Sequence, residues 1–182
     1  EIKDAIYDVS HEMGENDNLL IYYAGHGSIK EDERKRGYWI PRDGDVEKTT
    51  KWISNNYIVD NLFASKAKHV IIIADSCYSA TLRGQEEISS TKELKKLASK
   101  KTRIIMTSGG VEPVEDSGKD NHSIFAYALI KKLQEIDRVT VAGYIFPDIR
   151  QYVVNNVDEQ FPELSILKNT GHDGGDFIFV PK

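Results

Sequence analysis

The chain contains a single cysteine, Cys77, and one histidine, His26, that stands between two glycines. A cysteine thiolate is a strong nucleophile, and a nearby imidazole can lower the pKa of the thiol and later protonate a leaving group. Taken singly, each residue is more often structural, since lone cysteines are commonly small core residues. Their placement after two apolar runs favours nucleophilic catalysis by a Cys–His pair.

Two apolar runs predict the buried strands that would carry this pair. One run, residues 19–24, ends just before the Gly-His-Gly around His26, and the other, residues 70–74, ends three residues before Cys77. Ligands of open α/β sheets bind at the carboxyl ends of the strands. If the strands are neighbours, we expect His26 and Cys77 to face each other, with the amides of Gly27 and Cys77 as oxyanion donors.

Apolar periodicity predicts the elements that surround these two strands. Helical spacing covers residues 2–13, 55–66, 91–101, 123–136 and 148–158, and further strands are predicted over residues 38–40, 103–107 and 176–180. Asn121 is the predicted cap of the fourth helix, and Pro147 is the predicted entry to the fifth. Strands that alternate with helices predict one α/β domain over residues 1–182, with a mostly parallel sheet and helices on both faces.

The composition argues against several classes of protein. The 182 residues are 40% hydrophobic and 29% charged, with a formal net charge of −5, which argues against a general nucleic-acid binder. The charged residues 30–36 and the basic stretch 92–103 are better explained as a solvated loop and a solvated helix face. No apolar run approaches the roughly 18 residues of a membrane span. One cysteine excludes an internal disulfide framework and favours a reducing, cytoplasmic setting.

Two motifs resemble those of the caspase-like cysteine peptidases. Tyr22-Tyr23-Ala24-Gly25-His26-Gly27 and Ala74-Asp75-Ser76-Cys77-Tyr78-Ser79 are similar to the histidine and cysteine motifs of that family. Cys77 follows His26 by 51 residues, close to the separation of about 50 that is typical of caspases. The Asp-Ser-Cys form resembles the metacaspase and bacterial orthocaspase branch, because animal caspases have Gln-Ala-Cys there. The likeness covers nearly the whole chain.

The resemblance implies the caspase-hemoglobinase fold, a three-layer α/β/α arrangement with a mostly parallel sheet. It also implies a cysteine endopeptidase in which Cys77 is the nucleophile and His26 the general acid and base. The amides of Gly27 and Cys77 would form the oxyanion hole. Because folds of this family begin with strands that precede the first helix found here, the chain is expected to lack the first strands of the fold.

The resemblance further implies a preference for Arg or Lys at the cleaved bond. Asp75 is similar to the acidic residue that lines the specificity pocket of metacaspases, and its alternative role is that of a turn former at the strand end. Ser108 and Glu112 are further candidate substrate-binding residues, with an exposed loop glutamate as the alternative for Glu112. Ala24 replaces a serine that is common in metacaspases, so one pocket hydroxyl is absent.

No cofactor is expected to be required, although some metacaspases need calcium. The candidate oxygen ligands for calcium are Asp43, Asp45, Glu86 and Glu87, which do not form an EF-hand pattern. The spacing of the histidines predicts no metal site. The expected partners are protein or peptide substrates with Arg or Lys at the cleaved bond, and further domains of a larger chain. Neither nucleic acid nor a membrane is an expected partner.

Two other functions are consistent with the same residues. The chain could be a catalytically silent interaction module of a larger signalling protein, although such a module has no chemical need for both His26 and Cys77. A thiol redox sensor at Cys77 would lack a resolving cysteine within the chain. An active enzyme with a basic preference would be expected to cleave itself in loops, after Arg34, Lys35, Arg36 or Arg83.

Overall fold

The computed structural model describes residues 1–30, 36–45, 48–76, 82–87, 94–109 and 120–181, with residues 83–87 described by their backbone alone. Five helices lie within these ranges: α1 (Ile2–Glu12), α2 (Asn55–Ala64), α3 (Leu94–Ser99), α4 (Ile124–Gln134) and α5 (Ala142–Asn156). The strands of the same ranges are β1 (Asn18–Ala24), β2 (His26–Lys30), β3 (Arg36–Ile40), β4 (Ile53–Ser54), β5 (His69–Asp75), β6 (Arg83–Glu87), β7 (Thr102–Thr107), β8 (Thr140–Val141), β9 (Glu163–Leu167) and β10 (Ile178–Phe179).

Five of these strands form a central sheet in the order β1-β5-β7-β9-β6. Strands β1, β5 and β7 are parallel to one another, whereas β9 is antiparallel to both of its neighbours, β7 and β6. Two small antiparallel sheets, β2-β3-β4 and β8-β10, lie outside it. The prediction of a mostly parallel α/β sheet is therefore confirmed.

Strand β5 shows why the central sheet carries helices on both faces. Every residue of β5 is buried, and successive side chains point to opposite faces of a strand. Val70, Ile72 and Ala74 pack in one apolar cluster with side chains of α1 and α2. Ile71 and Ile73 pack in a second cluster with side chains of α4 and α5. The layers are therefore helix, sheet and helix, as predicted.

The structure corrects two predicted helix starts. Ser123, not Asn121, caps α4, because its Oγ accepts a hydrogen bond from the N–H of Ala126 across 2.9 Å. Helix α5 begins at Ala142, so Pro147 lies inside it rather than at its entry. The start of α5 is fixed by the distant Asp176, whose carboxylate accepts from the N–H of Gly143 across 3.0 Å.

Five strands of the described chain were not predicted: the two-residue strands β4 and β8, and the longer β2, β6 and β9. One predicted strand is shorter than expected. Strands β2, β6 and β9 each contain several polar residues, so their sequences lack the apolar runs of β5 and β7. The expected strand over residues 176–180 is only the two residues of β10, and the expected helix over residues 91–101 is described only as α3. Within the described ranges, no helix is long and apolar enough to cross a membrane.

Candidate active site

Strands β1 and β5 are parallel neighbours, and their carboxyl ends are in register. Ala24 of β1 pairs with Asp75 of β5, the last pair of a ladder that runs seven residues. The N–H of Gly25 extends this contact by donating to the carbonyl oxygen of Asp75 across 3.3 Å. The condition on which the predicted site depended, that the two strands are neighbours ending at one edge of the sheet, is therefore met.

His26 lies directly after the bend at Gly25 and is the first residue of β2. Its register partner is Ile40, the last residue of β3, and its side chain is exposed. Gly27 lies inside β2, opposite Trp39 of β3. The bend therefore turns the chain from the central sheet into the small β2-β3-β4 sheet, with His26 at the junction.

Two hydroxyls contact the carboxylate of Asp75, which is only 8% exposed. The Tyr22 hydroxyl donates to Asp75 Oδ2 across 3.3 Å, and the Ser123 hydroxyl donates to the same oxygen across 2.5 Å. Both donors are uncharged, so they hold the carboxylate in place without neutralising it. A buried carboxylate held in this way can attract a cation.

Tyr22 remains a hydrogen-bond donor to this carboxylate. Partial burial, the negative charge of Asp75 and the hydrogen bond to it all raise the pKa of the Tyr22 phenol above its usual range. The side chain is nevertheless 44% exposed at the surface. Tyr22 therefore forms part of the boundary between Asp75 and solvent.

Ser108 follows β7 on the other side of Asp75. Its N–H donates to the carbonyl of Ala74 across 3.0 Å, and its carbonyl accepts from Gln160 Nε2 across 2.9 Å. The side chain is fully buried, and its Oγ has no hydrogen-bond partner within the described part of the chain. Ser108 thus lies beside the strand end that carries Asp75, in a site where a further hydrogen bond could form.

Two of the four candidate calcium ligands, Asp43 and Asp45, have side chains in the described part of the chain. Within that part, no group of three or more His, Cys, Asp or Glu side chains is placed to hold a metal ion. Asp43 instead lies 3.0 Å from the ammonium of Lys51. The side chains of Glu86 and Glu87 lie outside the described part of the chain.

Cys77 and Glu112 also lie outside the described residues, as do Arg34 and Lys35. Of the predicted site residues, the structure brings Gly27, His26, Asp75 and Ser108 to the carboxyl end of the central sheet. The predicted site did not include Tyr22, Tyr23 or Ser123. The one local signal was the pair of tyrosines that precedes Ala24 and the Gly-His-Gly segment. The sequence could not show which groups their hydroxyls contact, because the fold sets those partners.

Comparisons with known proteins agree with this architecture. The family model of the caspase domain matches residues 1–171. Caspase-1 from Spodoptera frugiperda has 16% sequence identity to the chain and a TM-score of 0.65, over 100% of this chain and 70% of that one. A protein from Geobacter sulfurreducens has 13% identity and a TM-score of 0.57, over 90% of this chain and 71% of that one. No curated protein sequence matches significantly.

The two kinds of comparison support different statements. Identities of 13% and 16% show a shared fold alone. The family match extends over nearly all of the chain, including β1, β5 and the strand ends described above. The chain therefore belongs to the caspase-domain family, a family of cysteine peptidases.

Proposed function

We propose that the chain is a cysteine endopeptidase of the metacaspase and orthocaspase type, which cleaves peptide bonds after Arg or Lys. The observation that carries the proposal is the pairing of Ala24 with Asp75 at the ends of neighbouring strands. His26 and Cys77 each follow a member of this pair by two residues in the sequence. Membership of the caspase-domain family supports the same chemistry.

In the proposed reaction, the Cys77 thiolate attacks the carbonyl carbon of the scissile bond. The amides of Gly27 and Cys77 donate to the oxyanion that forms. The carbon–nitrogen bond then breaks as the His26 imidazolium gives its proton to the departing amine, leaving a thioester on Cys77. His26 next takes a proton from water, the water oxygen attacks the thioester, and the acid product and the thiolate are released.

Asp75 is proposed to select the basic side chain of the substrate. Its carboxylate is mostly buried and is held by the uncharged hydroxyls of Tyr22 and Ser123, which supports pairing with a guanidinium or ammonium group. A substrate aspartate would instead meet a like charge in a poorly solvated site. Ser108 and Glu112 are proposed as further substrate contacts. The inclusion of Ser108 is supported by its Oγ, which has no hydrogen-bond partner among the described residues.

The same proposal includes the setting of the enzyme. It requires no cofactor, although calcium activation is part of the proposal to be tested. Its partners are protein or peptide substrates, and further domains of a larger chain, in a reducing cytoplasm that keeps Cys77 as a thiol. Self-processing is proposed at basic residues. Arg36 and Arg83 were expected in loops, but they are the first residues of β3 and β6.

Fluorogenic peptides with Arg, Lys or Asp before the cleaved bond test the proposal, with and without calcium. The wild type should cleave the Arg and Lys peptides, and Cys77→Ala and His26→Ala should abolish turnover. Asp75→Asn should lower kcat/KM for the Arg peptide by roughly 10²-fold, the scale of losing one partner of a buried charge pair. Asp60→Asn, which changes an exposed carboxylate, is the matched control and should behave as wild type.

Each result bears on a separate part of the proposal. Turnover that persists in Cys77→Ala would exclude Cys77 as the nucleophile. Unchanged Arg preference in Asp75→Asn would remove Asp75 from the pocket. A folded wild-type chain that cleaves none of the peptides, with or without calcium, would favour a catalytically silent module. Mass spectrometry of active enzyme, compared with Cys77→Ala, shows whether the chain cleaves itself after basic residues.

A further inference from the structure

The side chain of Tyr23 lies at the junction where the central sheet meets the sheet that carries His26. Tyr23 belongs to β1, and its ring stacks on the indole of Trp39 in β3. The ring centroids are 4.1 Å apart and the planes differ by only 2°. Trp39 is 2% exposed, so the stack is anchored in the core. The ring of Tyr23 therefore connects the two sheets by packing.

The hydroxyl of Tyr23 connects the same two sheets by hydrogen bonding. Its oxygen lies 2.8 Å from the carbonyl oxygen of His26 and 3.2 Å from that of Ile40. His26 and Ile40 are register partners and form the end of the β2–β3 ladder nearest the site. One phenolic proton is thus shared between two carbonyls, and the backbone of His26 is held from the neighbouring strand.

The position of the Tyr23 hydroxyl leaves no space for a side chain at Gly25. A Cβ atom at Gly25 would lie 2.9 Å from the hydroxyl oxygen of Tyr23 and 3.1 Å from the ring carbon that bears it. Contacts below 3.0 Å force a displacement of one of the two groups. The glycine before His26 therefore allows the Tyr23 hydroxyl to cross over the bend and reach the two carbonyls.

The hydroxyl of Tyr23 is a hydrogen-bond donor throughout the neutral pH range. Burial raises the pKa of Tyr23 to about 12, against the smaller effect of its hydrogen bond to Ile40. The phenol therefore keeps its proton at every pH at which a Cys–His pair would be active. The hydrogen bond from Tyr23 to the carbonyl of His26 does not change over that pH range.

We propose that Tyr23 is a positioning residue for His26, which it holds through the backbone in the orientation that the imidazole needs beside Cys77. This inference rests on the proposed cysteine peptidase function. Tyr23 touches no reacting atom, so its effect is on geometry. Displacement of a catalytic group by about 1 Å can cost up to about 10²-fold in rate, and a loosened backbone is expected to cost less, about tenfold.

The test compares Tyr23→Phe with Tyr38→Phe. The first keeps the ring for stacking on Trp39 but removes the hydroxyl, and the second removes a hydroxyl from β3 in the same small sheet. Tyr23→Phe should lower kcat on the Arg peptide about tenfold, with KM within about twofold of wild type. Tyr38→Phe should keep the wild-type values. Gly25→Ala, which displaces the same hydroxyl, should lower kcat in the same way.

A second measurement does not depend on turnover. The rate at which iodoacetamide alkylates Cys77 as a function of pH reports the thiolate, and a displaced His26 should shift its midpoint to higher pH. Urea unfolding of each variant corrects the rates for the fraction of folded protein. Wild-type kcat and an unshifted alkylation midpoint in Tyr23→Phe would overturn the inference, as would a loss that Tyr38→Phe shares. A wild type that cleaves no peptide contradicts only the proposed function, because the alkylation midpoints can still be compared.

Discussion

The hydroxyl of Ser123 lies between the carboxylate of Asp75 and the first turn of α4. Its oxygen donates to Asp75 Oδ2 across 2.5 Å and accepts from the N–H of Ala126 across 2.9 Å. One hydroxyl thus serves as a helix cap and as a ligand of the proposed specificity carboxylate. The end of β5 is thereby coupled to the start of a helix 48 residues further along the chain.

Ser123→Ala should therefore affect stability and substrate selection together. Loss of the cap should lower the free energy of unfolding by about 1 kcal/mol, measured by urea unfolding. Release of Asp75 should also lower kcat/KM for the Arg peptide, about fivefold, which is the effect of losing a hydrogen bond worth about 1 kcal/mol. The matched control is Ser54→Ala, since Ser54 caps α2 by accepting from the N–H of Tyr57. A fall in kcat/KM of equal size in both variants would contradict the role of Ser123 at Asp75.

Arg103 should be essential to the stability of the opposite end of the central sheet. Its side chain is fully buried in β7, and its guanidinium donates four hydrogen bonds to backbone carbonyls. The acceptors are Ser65, Ala67, Lys68 and Thr102. Burial lowers the pKa of Arg103 to about 10, so the group stays charged at neutral pH.

Arg103→Lys cannot reproduce this fork of donors and leaves buried carbonyls unpaired. We expect a loss of about 3 kcal/mol in the free energy of unfolding, at the scale of one to three unsatisfied buried groups. The exposed Arg138 offers the matched substitution, Arg138→Lys, which should change stability by less than about 0.5 kcal/mol. Equal urea midpoints for the two variants would show that the carbonyl bonds of Arg103 contribute little.

Gly175 should not tolerate a side chain, because β7 and the loop before it pass too close. A Cβ atom there would lie 2.4 Å from Thr102 Oγ1 and 2.5 Å from the carbonyl oxygen of Lys100. Gly175→Ala should therefore cost about 3 kcal/mol, at the upper end of overpacking effects. Gly14→Ala, whose Cβ would meet only Asp17 Oδ2 at 3.4 Å, should be nearly neutral. Thermal unfolding of the pair measures the difference, and similar midpoints would contradict the clash.

His69 should make the fold less stable in mild acid. Burial above all, and also the charge of Lys68, hold the pKa of His69 below its usual value. The unfolded chain therefore binds a proton here at a higher pH than the folded chain does, so proton uptake favours unfolding. This contribution is constant above about pH 6.5 and falls as the pH drops below that value, until the folded imidazole is also protonated.

The pH effect of His69 is measured as a difference between variants. Urea unfolding of the wild type between about pH 5 and 8 should show a decline in stability on the acidic side that His69→Gln reduces. The exposed His122 provides the control, and His122→Gln should keep the wild-type decline. Curves that remain parallel for the wild type and His69→Gln would contradict the burial of a neutral imidazole.

The central strands could be predicted because their burial requires runs of consecutive apolar residues. Strands β5 and β7 are buried on both faces, so their apolar runs are continuous and end where the polar site residues begin. General geometry placed the candidate residues at the carboxyl ends of parallel strands, whereas the adjacency of β1 and β5 is seen only in the fold. The helices followed from apolar spacing, with boundary errors at α4 and α5.

The remaining features depend on contacts between distant parts of the chain. Strand β2 contains polar residues and is held by its ladder with β3, so its own sequence gives no strand signal. The start of α5 depends on Asp176, and the Tyr23 hydroxyl finds its acceptors only after the bend at Gly25 has formed. Local sequence therefore reveals which residues could act, whereas the groups that orient them depend on the complete fold.

The strand order of the central sheet interleaves the two halves of the chain. Strands β1, β5 and β6 come from residues before 88, and β7 and β9, which come later, lie between β5 and β6. A single cut between β6 and α3 would leave two fragments joined by two separate ladders, β5–β7 and β9–β6. Neither fragment could leave without breaking both ladders, so a nicked chain would persist as a noncovalent heterodimer of its own pieces.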